Sequence, residues 1–152
     1  MPAFHEQVRD SLPRLTPDNY RLTSAASWEY NCIAWAVGVT DTWWWPIPGR
    51  YWPAEAPREE TMSAFLTAFA ICHFHPCAVA DVEPDFDKIA LYALDDRPTH
   101  ASRQLLSGWW TSKLGPSVDI EHTDPTVLAG GVYGAVVAIL SRKTVRSAVR
   151  KA

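Results

Sequence analysis

The stretch "YNCIAWA" at residues 30–36 carries the chain's most suggestive side chain, Cys32. A cysteine is nucleophilic as its thiolate. The start of a helix lowers a thiol pKa and offers backbone N–H groups to an oxyanion. Such a nucleophile needs a base within hydrogen-bond reach, most often a histidine. His100, in "PTHASRQ", is the candidate base, because small Ala101 and Ser102 beside it leave access. His122, after "VDIE", is a further candidate, and Asn31 and Lys113 are candidates to orient the base or contact a substrate. The competing reading of Cys32 is a core residue on the apolar face of a helix.

Three other groups call for a reading. "CHFHPC" holds Cys72, His73, His75 and Cys77. Their spacing matches no standard zinc site, so no metal and no cofactor is expected. Ser112 and Lys113 are neighbours in a predicted strand and point to opposite faces, which disfavours a Ser–Lys pair and leaves Lys113 as an anion or carbonyl contact or a surface charge. "TDTWWWPIPGRYWP" places Trp43, Trp44, Trp45 and Trp52 in one proline-interrupted loop. It follows directly on the Cys32 helix, so Trp43 and Trp44 are either core or an aromatic wall beside the thiol.

The elements that must position these residues are read from periodicity. An N-terminal arm, residues 1–27, contains a short helix and the turn-rich "TPDNYRLTSAAS". Residues 29–39 have helical spacing, with Ser27 as the cap or Asn31 capping a later start. Glu59 and Glu60 favour the start of a second helix with Phe65, Leu66, Phe69 and Ala70 on its apolar stripe. The period then changes. Strands are predicted at 88–94, 99–106, 107–115, 117–122 and 133–140, with "DDRP" as a turn. Helices first and an antiparallel meander after is an α+β pattern.

Composition sets the limits. The chain has 152 residues, 47% hydrophobic and 20% charged, which suits one globular domain with a sizeable core. Net charge is −3, which argues against a nucleic-acid partner. The basic C-terminal tail, residues 141–152, departs from this balance: it carries Arg142, Lys143, Arg146, Arg150 and Lys151 without an acid, and an acidic partner would suit it. The 3 cysteines are an odd number in a chain this long, so free thiols and a cytoplasmic location are expected. No leader-like opening and no span long enough for a membrane is read.

The motifs "YNCIAWA", "WWWP", "YWP", "KIALYA", "HASRQ" and "WTSKLG", in this order over roughly residues 18–140, resemble an uncharacterised bacterial domain family. More distantly, the chain is similar to the NlpC-type branch of the papain-like cysteine hydrolases. There a cysteine opens a helix, one strand begins with the catalytic histidine, and the next carries an auxiliary polar residue. The resemblance implies a papain-like core over 28–140, with N-terminal helices packed on an antiparallel sheet of about five strands. "KIALY" matches the first strand pattern and "THA" the second. Lys88 therefore stands where that family has its histidine, and His100 takes the auxiliary position. Lys88 flanks the site if an odd hairpin loop puts both on one sheet face. The expected function is a cysteine hydrolase or acyltransferase of amidase or peptidase type, with Cys32 as nucleophile and His100 as base. Its partner is a small acyl, amide or peptide substrate. The alternative is a non-catalytic binding or interaction module that keeps the fold.

Overall fold

A computed structural model describes residues 2–114 and 116–144; Arg146, Arg150 and Lys151 of the basic tail lie outside them. The molecule is dominated by a seven-stranded antiparallel sheet in the order β1-β6-β5-β4-β3-β7-β2. Its strands are β1 Tyr20–Ser24, β2 His75–Cys77, β3 Phe86–Leu94, β4 Arg97–Gln104, β5 Trp110–Lys113, β6 Asp119–His122 and β7 Ala135–Lys143. The helices are short: α1 Phe4–Gln7, α2 Cys32–Ala36 and α3 Met62–Ile71, with one 3-10 turn at Pro125–Leu128.

This corrects the expected papain-like, NlpC-like architecture of helices on a five-stranded sheet: the fold is β-rich. Strands β3 to β7 overlap the five predicted strands. The two additional strands are both edges, with side chains largely in solvent. An edge strand exposed on both faces needs no alternation of apolar and polar residues, so "YRLTS" and "HPC" carry no period-2 signal. The Cys32 helix is also shorter than expected. Asn31 caps it, and Gly38, at φ +88°, turns the chain away after its first turns.

The sheet is covered on both faces. On one lie α2, α3 and the tryptophan loop, whose Ile33, Trp44, Trp52, Phe65 and Phe69 pack on Ile89, Leu91, Ala101 and Leu140. On the other, Leu12, Leu15, Val127 and Leu128 pack on Ala90, Tyr92, Trp110 and Ile120. Each fully buried large apolar side chain contributes about 1.5–3 kcal/mol of transfer free energy. The loop tryptophans divide accordingly. Trp44 and Trp52 are core, whereas Trp43 lies towards solvent, stacked on exposed Trp28 with Arg50 over its ring.

One irregularity decides which side chains meet. The β3–β4 hairpin turns through Asp95 and Asp96, both at positive φ, as a two-residue turn of the type that suits strand twist. A bulge then shifts the register, so that Tyr92 faces His100. His100 and Ser102 consequently lie on the Tyr92 face of the sheet, and Ala101 and Arg103 lie beneath α2. A second close approach holds the opposite side: a Cβ on Gly134 would stand 2.0 Å from the Ala93 carbonyl oxygen, so only glycine permits β7 to start there.

Candidate functional site

Cys32 is the first residue of α2 and is buried, the residue being 6% exposed. Asn31 builds this start. Its side-chain oxygen accepts from the N–H groups of Ala34 (3.3 Å) and Trp44 (3.1 Å), and its amide donates to the Trp44 carbonyl (2.7 Å). Asn31 therefore pins the tryptophan loop to the helix rather than facing a substrate. Burial pushes the Cys32 thiol up to about 11, against the backbone N–H groups of Ala101, Ile33 and Cys32 itself and the charge of Lys113. This reverses the expectation of a depressed pKa. A helix of five residues has a weak dipole, and desolvation outweighs it.

Strand β5 lies beside β4 only at Arg103↔Thr111 and Gln104↔Trp110. Beyond Arg103 the two strands are held by side chains instead. Ser112 Oγ lies 3.0 Å from His100 Nε2 and 2.8 Å from His122 Nε2, and His122 Nδ1 lies 3.0 Å from the Asp124 carbonyl oxygen. His100, Ser112 and His122 have no exposed surface. His100 is stacked on Tyr133, with ring centroids 4.1 Å apart, and meets the Tyr92 ring edge-on.

The proton positions follow from the bonding capacity of each group. The Asp124 carbonyl only accepts, so His122 carries its proton on Nδ1. Burial holds His122 down at about 4, so it is neutral near pH 7 and its Nε2 accepts from the Ser112 hydroxyl. The Ser112 oxygen then accepts from His100 Nε2–H. Burial, then the nearby His122, hold His100 well below its ordinary value, so it too is neutral. Its remaining nitrogen, Nδ1, carries a lone pair, is buried and makes no hydrogen bond.

Cys32 approaches this group from the α2 face. Its thiol is near enough to the Ala101 N–H for that group to stabilise the thiolate, and its charge is felt by Tyr133, which stacks on His100. The thiol is not hydrogen-bonded to His100: Nδ1 has no partner and Nε2 is bonded to Ser112. Lys113 lies on the Cys32 side, 5.4 Å over the Tyr30 ring, with its ammonium donating to the Ser117 carbonyl. Burial lowers its pKa, opposed by Asp119 and Cys32. Tyr30 donates to Asp119 at 2.7 Å; burial and then that bond raise its hydroxyl to about 12.

The structure thus groups His100 and His122 with Ser112 and Tyr133 on the Tyr92 face of the sheet, and Cys32 and Lys113 with Tyr30 and Asp119 on the α2 face. Ser112 and Lys113 do face opposite ways, as their adjacency requires. Lys88 shares the sheet face of His100, but the hairpin bulge rather than an odd loop achieves this. It sits four residues along β3 from Tyr92, which is about 13 Å at strand rise. Its ammonium bonds Glu83 (2.7 Å) and the Val79 carbonyl (2.9 Å), so Lys88 does not flank the site. Trp43 stands with Trp28 and Arg50 in the outer loop, and Trp44 is part of the core. Of the added residues, Tyr133 is a single aromatic before a glycine, and Ser112 and Tyr30, although they lie in "WTSKLG" and "YNCIAWA", acquire these partners only once strand parity and packing are known.

Fold and site together define a β-rich domain with a buried thiol and lysine on one face of the sheet and two buried, neutral histidines on the other. The chain belongs to a domain family of unknown function, DUF7689, whose profile matches residues 21–141. No curated protein and no solved structure matches the chain. Among the described residues, no helix is long and apolar enough to cross a membrane, and no three or more His, Cys, Asp or Glu side chains are grouped to hold a metal ion.

Proposed function

We propose that the chain is a cysteine hydrolase or acyltransferase acting on an amide or related acyl bond, with Cys32 as nucleophile and His100 as base. The observation that carries this reading is the His122–Ser112–His100 chain, which leaves His100 Nδ1 as an open, buried lone pair beside the residue whose N–H faces the thiol. A general base needs that tautomer, and the proton transfer needs the ring and the thiol, which lie on opposite faces of the sheet at rest, to meet where β4 and β5 part.

The resting pair is thiol and neutral imidazole, not an ion pair, so the proton moves during attack. The Cys32 sulfur bonds to the acyl carbon as His100 Nδ1 takes the thiol proton. The proton then passes to the leaving amine as the C–N bond breaks. Water, for a hydrolase, or an acceptor nucleophile, for a transferase, cleaves the thioester and restores the thiol. Backbone N–H groups at Ile33 and Ala101 are the candidate oxyanion donors, and Lys113 is the candidate contact for substrate carbonyl or carboxylate.

Turnover of p-nitrophenyl esters and anilides tests the reading. Wild type hydrolyses or transfers the acyl group, while Cys32→Ser and His100→Asn reduce turnover by about 10²-fold or more. Equal rates in all three proteins reject it. The second reading is a non-catalytic interaction module. The 6% exposure of Cys32 and the outward Trp28–Trp43 stack, where Trp28 is 73% exposed, favour it. Under that reading, Trp28→Ala impairs partner binding and Cys32→Ser changes nothing.

A further inference from the structure

Away from Cys32, a cavity of about 430 Å³ opens at the end of the sheet where β3 begins and β4 ends. Its volume falls within the range of small-ligand pockets. Arg103 and Arg142 line it, with Phe74, Val82, Phe86 and Leu106 as apolar walls. Val82, Phe86 and Leu106 are among the exposed large apolar residues, so the apolar rim faces solvent.

The charges around this cavity are paired with one exception. Arg142 bonds Asp87 (3.3 Å) and the Cys72 carbonyl (3.2 Å), and Lys88 bonds Glu83 (2.7 Å). Arg103 lies over the Trp35 ring at 4.9 Å and forms no ion pair among the described residues. Its Nε–H is buried and makes no hydrogen bond. A guanidinium stays charged at neutral pH, and leaving it largely buried without an acceptor costs free energy. Burial and Arg142 both disfavour its charge, and Asp87 alone supports it while paired elsewhere.

We propose that this cavity binds a small monoanionic carboxylate with an apolar body, held through its carboxylate by Arg103. A carboxylate matches the planar guanidinium fork. One uncompensated positive charge suits a monoanion better than a phosphate dianion, and the Phe74, Val82, Phe86 and Leu106 walls require an apolar remainder. The inference is independent of Cys32 chemistry, since it uses none of that site's residues.

Phenylacetate titrated into the full chain is the test, read by calorimetry and by the Arg103 side-chain Nε–H resonance. The expected result is saturable binding that shifts that resonance. The neutral isostere phenylacetamide binds about tenfold more weakly or worse, as does phenylacetate to Arg103→Gln. If that variant fails to fold, Arg103→Lys, which keeps the charge and loses the fork, shows the same weakening. Phenylacetamide binding as tightly as the acid, inorganic phosphate competing as well as the acid, or no shift at Arg103 overturns the proposal.

Discussion

Replacing Ser112 by alanine removes one oxygen and strands two buried rings. The hydroxyl bonds His100 Nε2 at 3.0 Å and His122 Nε2 at 2.8 Å, and all three residues are without exposed surface. Alanine leaves His100 Nε2–H without an acceptor and His122 Nε2 without a donor. Each orphaned group costs about 1–3 kcal/mol, so the variant loses about 2–6 kcal/mol. In a domain of this size that lowers the unfolding midpoint by roughly 4–24 °C. Urea unfolding measures the loss directly, with an unchanged slope showing that only stability moved. The same variant frees the His100 ring: in wild type, nitrogen shifts report a pyrrole-like Nε2 and a pyridine-like Nδ1, and in Ser112→Ala that preference falls. A loss below about 0.5 kcal/mol would refute the chain as drawn, because no buried, bonded hydroxyl is removed so cheaply.

Acid should unfold the protein through the same residues. His122 has an ordinary value of 6.5 and about 4 when folded, so the unfolded chain binds the proton more tightly. The contribution is fully present above pH 6.5 and disappears as pH falls towards 4, about 3 kcal/mol in all at 1.36 kcal/mol per unit. His100 acts in the same direction. Urea unfolding between pH 7 and 4 shows this slope, and it weakens in His122→Gln. Asn31→Ala removes three buried hydrogen bonds, one of them the helix cap, and should cost about 2–4 kcal/mol by thermal unfolding. With iodoacetamide at pH 7, Cys32 should label more slowly than the half-exposed Cys72 and Cys77, and its rate should climb until about pH 11.

The central sheet was legible because "KIALYAL", buried up to Ala93, and "YGAVVAIL", apolar though only Leu140 of it is buried, are runs whose length excludes a membrane span and favours strands. The edges were not, because Tyr20–Ser24 and His75–Cys77 are exposed and contribute backbone rather than side-chain burial. Cys32, His100 and His122 were legible as candidates by residue type. Their arrangement was not, because it depends on one bulge between Tyr92 and Ala93 that turns His100 onto the Tyr92 face. The expected low thiol pKa failed for a related reason: sequence reveals the helix start, whereas the desolvation that outweighs it comes from distant segments packing over the sulfur. The NlpC-like comparison drew on the Cys32 helix and the two strands of "KIALY" and "THA", and missed the flanking strands that make the fold β-rich.

The most direct test of the account is to quench the protein with an activated acyl ester and map the modified residue by mass spectrometry. The account predicts a thioester on Cys32 that forms in wild type, decays by hydrolysis or transfer, and fails to form at a comparable rate in His100→Asn. An adduct absent from Cys32, or formed there at the same rate without His100, would contradict it.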